Sequence, residues 1–371
     1  MIPVCRPYLT GKEQAYVTKA VETGWISSAG EYIGKFEQAF SKFVKCNYGV
    51  ACSNGTTAVH LALIAAGVEK GDRVVVPSFT MMASVFPIIQ QQAIPVFVDC
   101  DPETWTLDPN QLAAIKGPVK AIMPVHIYGH PCDMDPILEW AKERKAVVIE
   151  DAAESHGALY RNQPCGSMSD VAAFSFYANK VLTCGEGGMV TTNNEAYATR
   201  AKYYRNLCFD TDPEKRFIHE NVGFNYRLTN VQAAIGFSQT ESADELVDMR
   251  RAMAKKYLER LGGLREYIQL PAEKPWAKNC YWMFGIVLRD SVKINAEKLL
   301  RVLASKGVDT RRFFYPGHLQ PVFKEFSKGV HAPVSEMLWE RGIYLPSSSD
   351  LTDDEADKVT EALKSSLTGS H

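Results

Sequence analysis

The chain has 371 residues, of which 46% are hydrophobic and 23% charged, with a formal net charge of −2. This is the balance of a soluble globular protein long enough for two domains. No basic excess exists to neutralise phosphates, which argues against nucleic-acid or membrane-surface partners, and no apolar run reaches the roughly 18 residues of a membrane span.

The N-terminal stretch "MIPVCRPYLTGKEQAYV" lacks the basic flank and long apolar run of a signal peptide. Nine cysteines are scattered with no CxxC pair, as expected for free thiols in a reducing compartment, the cytoplasm. The eight histidines form no HExxH, so no zinc-protease-type metal site is announced.

From residue 48 to about 192, short apolar runs alternate with helical patterns. "YGVACS" precedes "TTAVHLALIAAG", whose apolar spacing suits a helix. "RVVVPS", "IPVFVD", "KAIMPVHIYG", "AVVIED" and "VAAFSFY" follow, most separated by stretches such as "CDMDPILEWAKERKA". Buried Val/Ile runs separated by helices predict an α/β fold, a mainly parallel sheet with helices on both faces. Residues 206–227 read as a long polar loop, of the kind that usually carries function. The stretch around residues 238–264, "SQTESADELVDMRRAMAKKYLERLGG", predicts one long amphipathic helix closed by Gly-Gly. Beyond it, "YWMFGIVL", "NAEKLLRVLASKG", "GIYLPS" and "LTDDEADKVTEAL" suggest a smaller α+β domain. The expected division is a large domain over 1–243 and a small C-terminal domain over 244–371.

Three motifs fall at strand ends, where ligands gather in doubly wound sheets. "SNGTT" (53–57) joins a strand to a helix. Its backbone N–H groups and glycine could cradle a phosphate, or Ser53 or Asn54 could simply cap the helix. "VVIEDAAESHG" (147–157) ends a strand in two acids, and alternation allows only one of Glu150 and Asp151 to face a crevice. That carboxylate could bind a metal, a ribose hydroxyl or a protonated ring nitrogen, or cap a helix. Lys180 of "FSFYANKVLTCGEGGM" is either a surface lysine on a turn or a desolvated amine able to form a Schiff base. Taken together, a phosphate cradle, a carboxylate and an amine are what pyridoxal 5'-phosphate requires.

"SNGTTAVHLAL", "AIMPVHIYGHPCDMDPI", "VIEDAAESHGA", "FSFYANKVLTCGEGGMVTTN" and "GFNYRLTNVQAAIG" resemble the DegT/DnrJ/EryC1/StrS sugar aminotransferases. The likeness is greatest to the perosamine-forming members, which also carry a "WISS" like that at 25–28 and a "FYPGH" like that at 314–318. It runs from about residue 3 to residue 365. The resemblance implies a type I aminotransferase fold, pyridoxal phosphate as cofactor, L-glutamate as amino donor, a nucleotide-linked 4-keto-6-deoxyhexose as acceptor, and a homodimer with shared active sites. It makes Lys180 the Schiff-base lysine and proton shuttle, and Asp151 the partner of the pyridine nitrogen. It sets Glu154 near the phenolic oxygen, where many members have Gln. Gly55, Thr56 and Ser175 would hold the phosphate, joined by Asn225 from the other subunit. Trp25 and His318 would lie near the sugar.

Two positions depart from the family pattern. Met81 of "PSFTMMAS" occupies the place of an aromatic residue that stacks on the cofactor ring, and a thioether can still cover a ring through contacts of roughly 0.3–1.5 kcal/mol. Ala178 stands in "FYANK" where perosamine-type members tend to have Gly. A related subgroup of dehydratases carries histidine at the lysine position, so Lys180 favours transamination. The expected acceptor is GDP-linked and aminated at C4, in the making of an amino sugar for a surface polysaccharide. UDP- or dTDP-linked ketosugars, a lyase or dehydratase outcome, and a non-enzymatic regulator are the alternatives.

Overall fold

The computed structural model describes residues 1–368. Strands β1 (Tyr48–Cys52), β2 (Arg73–Pro77), β3 (Ile94–Val98), β4 (Ala121–Ile122) and β5 (Val147–Asp151) come first. A short hairpin, β6 (Leu159–Tyr160) and β7 (Gln163–Pro164), precedes β8 (Val171–Ser175) and β9 (Gly188–Thr192). Seven of these strands form one sheet in the order β1-β9-β8-β5-β4-β2-β3. Pairing is parallel from β3 through β8, while β9 runs antiparallel to both β8 and β1. The expected mainly parallel sheet is therefore present, with one reversed strand that returns directly from the Lys180 loop.

The helices are α1 (Lys12–Glu22), α2 (Glu31–Phe43), α3 (Gly55–Ala65), α4 (Phe86–Gln90), α5 (Met134–Arg144) and α6 (Glu195–Arg205). They continue with α7 (Asn230–Glu241), α8 (Ala243–Leu261), α9 (Ala296–Ser305), α10 (Pro333–Arg341) and α11 (Asp353–Thr368). Both faces of the sheet are covered, and β8 illustrates how. Ala172 and Phe174 pack with Phe36 and Phe40 of α2 and Ala233 of α7. Val171 and Ala173 point the other way, to Leu61 of α3 and Ala198 of α6. All five β8 residues are buried, so the strand reads as a continuous apolar run rather than an alternating one.

A second, antiparallel sheet collects β10 (Ile268–Gln269), β12 (Phe284–Leu288), β13 (Arg311–Arg312) and β14 (Gly342–Leu345), while β11 (Ala277–Lys278) pairs with β6. The start of the chain joins this C-terminal layer, with Ile2 bridged to Val308 and the Val4 carbonyl accepting from Ser347 N–H at 2.7 Å.

The single helix expected over 238–264 is two helices that meet at Ser242, whose backbone (φ −109°, ψ 19°) leaves the helical path. The reason is packing. Helix α7 lies against α1 and α2 on the large sheet, whereas α8 runs on to α11, and one straight axis cannot serve both surfaces. Helix α7 starts at a capping box of Thr229 with Gln232. The polar stretch 206–227 holds one 3₁₀ turn (Pro213–Lys215) and a bridge between Asn206 and Asn225.

The two acids ending β5 divide as strand alternation requires. Glu150 is fully buried and turned away from the sheet edge that carries Asp151 and Ser175. It accepts from His126 Nε2 (2.9 Å), from the N–H groups of Gly166, Met168 and Ser169, and from the Ser169 hydroxyl. Burial alone would push this carboxyl up, but the donors, His126 foremost, outweigh it and hold Glu150 below the usual carboxylate range. His126 Nδ1 accepts from Cys132 N–H (3.0 Å), which leaves the proton on Nε2 facing Glu150. His126, Glu150 and Cys165 place possible ligand atoms within 4.8 Å of one another. Five donors already occupy the carboxylate, so the cluster is a tie between β5 and the 166–169 turn. Substituting Glu150→Gln turns one acceptor oxygen into a donor facing N–H groups. An unfolding titration in urea should then show a loss of about 3–5 kcal/mol; a loss under about 1 kcal/mol would deny the carboxylate this role.

Candidate active site

At the C-terminal edge of the large sheet a cavity of about 560 Å³ opens over the ends of β1, β2, β5 and β8. Of the sequence-predicted residues, Gly55, Thr56, Met81, Asp151, Glu154, Ser175 and Lys180 all line it. The site is built from those strand ends upward.

After β1, Asn54 caps helix α3. Its Oδ1 accepts from Thr57 N–H (2.9 Å), and Thr57 Oγ1 accepts in return from Asn54 N–H (3.1 Å). Both readings of "SNGTT" thus coexist, because the cap leaves the Gly55 and Thr56 N–H groups at the open end of the helix. A Cβ at Gly55 would lie 2.6 Å from Ser175 Cβ, so only glycine lets the start of α3 approach the end of β8. The result is a cradle of helix N–H groups beside two hydroxyls, those of Thr56 and Ser175. That arrangement suits a phosphate by hydrogen bonding and by the positive end of the helix dipole.

Asp151 is 5% exposed. Its Oδ2 accepts from Ser84 Oγ (2.7 Å), which in turn lies 2.8 Å from Thr80 Oγ1, and its Oδ1 accepts from Ala153 N–H (3.1 Å). Both carboxylate oxygens are thereby oriented. Sequence reasoning missed Ser84; the signal available was the i, i+4 spacing of Thr80 and Ser84 in "PSFTMMAS". Met81, 52% exposed, lies on the same segment at the cavity mouth.

Lys180 sits in the loop from β8 to β9. Phe176 closes that loop, its N–H donating to Gly187 O (2.8 Å) and its carbonyl accepting from Cys184 N–H (3.0 Å). Gly185 takes a left-handed conformation (φ 80°) in the turn back. The amine lies 3.6 Å from the centroid of the Trp282 ring and 3.8 Å from Glu154 Oε1. Glu154 Oε2 accepts from Tyr128 N–H at 2.8 Å. Burial pulls the Lys180 amine below the usual lysine value, opposed by the charges of Glu154 and Asp151. Burial likewise pushes Glu154 up to about 7, opposed by Lys180 and the Tyr128 N–H. Burial thus disfavours the charged form of both groups, lowering the amine and raising the carboxyl. Trp282, like Tyr344, reaches the cavity from the C-terminal layer and carries no local motif that would have announced it.

Three predicted residues are not brought to this cavity within one chain. Trp25 is 59% exposed and lines a separate hollow with Gly30 and Glu31, its carbonyl accepting from Asn230 Nδ2 (2.6 Å). Asn225 is exposed, and its Oδ1 accepts from Arg227 Nε (2.9 Å). His318 is buried behind the wall, with Nδ1 2.6 Å from Ser78 Oγ and Nε2 3.2 Å from Glu336 Oε1. It fixes the segment that presents Phe314 to the cavity.

The Glu154 environment has a consequence for stability. A carboxyl raised in the folded state contributes stability that is complete below its unfolded value near 4.5 and is lost as pH rises through about 7. Thermal unfolding of the cofactor-free protein from about pH 5 to about pH 8 should show the wild type losing stability relative to Glu154→Gln, with the difference levelling above neutrality. Parallel curves would contradict the assignment.

The chain matches the DegT/DnrJ/EryC1/StrS aminotransferase family over residues 7–364. It is 41% identical to the GDP-perosamine synthase of Caulobacter vibrioides over 363 residues, 98% of this chain and 97% of that protein. DesV of S. venezuelae, a solved structure, superposes with a TM-score of 0.90 at 30% identity, covering 99% of this chain and 100% of that one. The GDP-4-keto-6-deoxy-D-mannose-3-dehydratase of E coli has a TM-score of 0.90 at 23% identity, over 98% and 99% of the two chains, and shares the fold alone. The resemblance carried by the motifs around Lys180, Asp151 and Gly55 is borne out over nearly the whole chain. It belongs to the DegT/DnrJ/EryC1/StrS aminotransferase family.

Proposed function

We propose that this chain is a pyridoxal phosphate-dependent aminotransferase that moves the amino group of L-glutamate onto C4 of a GDP-linked 4-keto-6-deoxyhexose. The observation that carries the reading is the convergence of Lys180, Asp151 and the Gly55–Ser175 cradle on one cavity. The GDP-linked acceptor rests on the likeness to GDP-perosamine synthases, at 41% identity over nearly the full length. The products are 2-oxoglutarate and an amino sugar for a surface polysaccharide.

When bound, the cofactor supplies an aldehyde for amine exchange and an electron-withdrawing ring. Lys180 would hold the aldehyde and, when free of it, would serve as the base that moves a proton at the reacting carbons. Partial desolvation helps, because a neutral amine is both nucleophile and base. Asp151, held by Ser84 and Ala153 N–H, keeps the ring nitrogen protonated. Glu154, raised toward neutrality, can donate to the phenolic oxygen. Gly55, Thr56 and Ser175 would bind the phosphate, and Met81 would cover a face of the ring.

A homodimer with shared active sites completes this reading. Among the described residues, the cavity is lined by one cation, Lys180, against Asp151, Glu154 and Glu186. A nucleotide diphosphate needs positive charge and donors from elsewhere, and Asn225 of the partner subunit would reach the phosphate of the cofactor. The loop beside Asn225 exposes Phe217, Ile218 and Val222, at 79%, 64% and 86%. Apolar side chains so exposed suit burial by a second copy. Trp25 would act at the sugar, while His318, held between Ser78 and Glu336, would position the segment that carries Phe314. The large lobe, 1–243, would hold the cofactor and the small lobe, 244–371, would close over it. Among the described residues no helix is long and apolar enough to cross a membrane, and the nine thiols are free, which suits a cytoplasmic enzyme.

The test is to supply glutamate with 4-keto-6-deoxyhexoses linked to GDP, UDP or dTDP, and to follow 2-oxoglutarate and the product mass. One 2-oxoglutarate per amino sugar, fastest with the GDP-linked acceptor, is expected. Preference for UDP or dTDP would move the acceptor assignment. Sugar deoxygenated at C3 without net amination would replace transfer by dehydration.

A further inference from the structure

Arg250 of α8 is 1% exposed and has no carboxylate partner among the described residues. A buried guanidinium without an anion costs stability, so its retention calls for a role. Its donors go to backbone and sulfur. Nη1 donates to the Trp282 carbonyl (3.1 Å), while Nη2 donates to the Asn179 carbonyl (3.3 Å) and lies 3.3 Å from Cys5 Sγ. Its Nε has no partner.

The Asn179 carbonyl is the point where these contacts meet. It accepts from Trp282 Nε1 (2.9 Å) and Arg250 Nη2, and the Cys5 thiol lies 3.6 Å away. This carbonyl belongs to the peptide whose N–H is that of Lys180, and that N–H donates to Tyr177 O at 2.9 Å. The peptide plane bearing Lys180 is thus held from both sides. Arg250 and Trp282 come from the C-terminal part of the chain and Cys5 from its start, whereas Asn179 and Lys180 belong to the β8–β9 loop. Trp282 also sets its ring beneath the Lys180 amine.

The geometry points to Arg250 as a positioning residue for the reaction: with the Trp282 indole N–H it clamps the Asn179–Lys180 peptide, so that only the lysine side chain moves while its amine alternates between holding the cofactor and transferring a proton. The guanidinium suits this task because its planar fork reaches two carbonyls at once, which an ammonium cannot do in the same geometry. Trp282 then has two parts, one fixing the backbone and one facing the amine. The clamp rests on Lys180 being the cofactor lysine, as proposed above.

The test uses hydrogen–deuterium exchange of the full-length, cofactor-free protein, read by mass spectrometry on peptides covering 176–184. Arg250→Met should speed exchange there by about tenfold or more, with β2 and β3 unchanged. In the holoenzyme the same variant should lower kcat by about 10–100-fold, with KM for glutamate moving less than about threefold. Arg250→Lys should fall between the two. Unchanged exchange over 176–184, or equal acceleration throughout the chain, would overturn the clamp. Should Arg250→Met not fold, Trp282→Phe, which keeps an aromatic ring, though a smaller one, and removes the indole N–H, is read by the same two outcomes. Because exchange is measured without cofactor or sugar, failure to find an acceptor leaves this result standing.

Discussion

Desolvation of one amine is the constraint around which this molecule is arranged. Among the described residues Lys180 is the single cation lining a cavity that also presents three carboxylates, and its side chain is only 10% exposed. A lysine so placed must be compensated, and Glu154 at 3.8 Å and the Trp282 ring at 3.6 Å do so without pinning the amine in a short ion pair. The amine stays available for chemistry because its partners are near but loose.

The scaffold delivers this environment through strand topology. Parallel strands put the ends of β1, β2, β5 and β8 on one edge, and the reversed β9 returns the Lys180 loop to that edge instead of carrying it away. The adjacent acids of β5 show the economy of a two-residue period. Asp151 faces the site, while Glu150, one residue earlier, ties the strand to the 166–169 turn. Rigidity on one face of the strand supports orientation on the other.

How far the molecule is legible in its sequence follows from the range of each interaction. Short-range features were readable: the apolar runs of the sheet, the helix start at Gly55, the acid at the end of β5, and the lysine followed by glycines. Helix α7 was not, since its buried positions go nearly all round and leave little amphipathic signal. The break at Ser242 was hidden for a related reason, because it depends on what α7 and α8 pack against. Trp282, Tyr344 and Arg250 meet the Lys180 loop from far along the chain, and no local pattern encodes such a meeting. Trp25 and Asn225 do not reach the cavity in a single chain. His318 was read as a sugar contact on resemblance, yet in the structure its ring is held between Ser78 and Glu336.

The identity of the residue that holds the cofactor is the claim on which the functional reading turns. The most direct measurement is borohydride reduction of the purified, yellow holoenzyme, followed by peptide mapping. A pyridoxyl mass on the peptide containing Lys180, absent in Lys180→Ala, is the expected result. A colourless protein that takes up no pyridoxal phosphate, or a mark on another lysine, would contradict it.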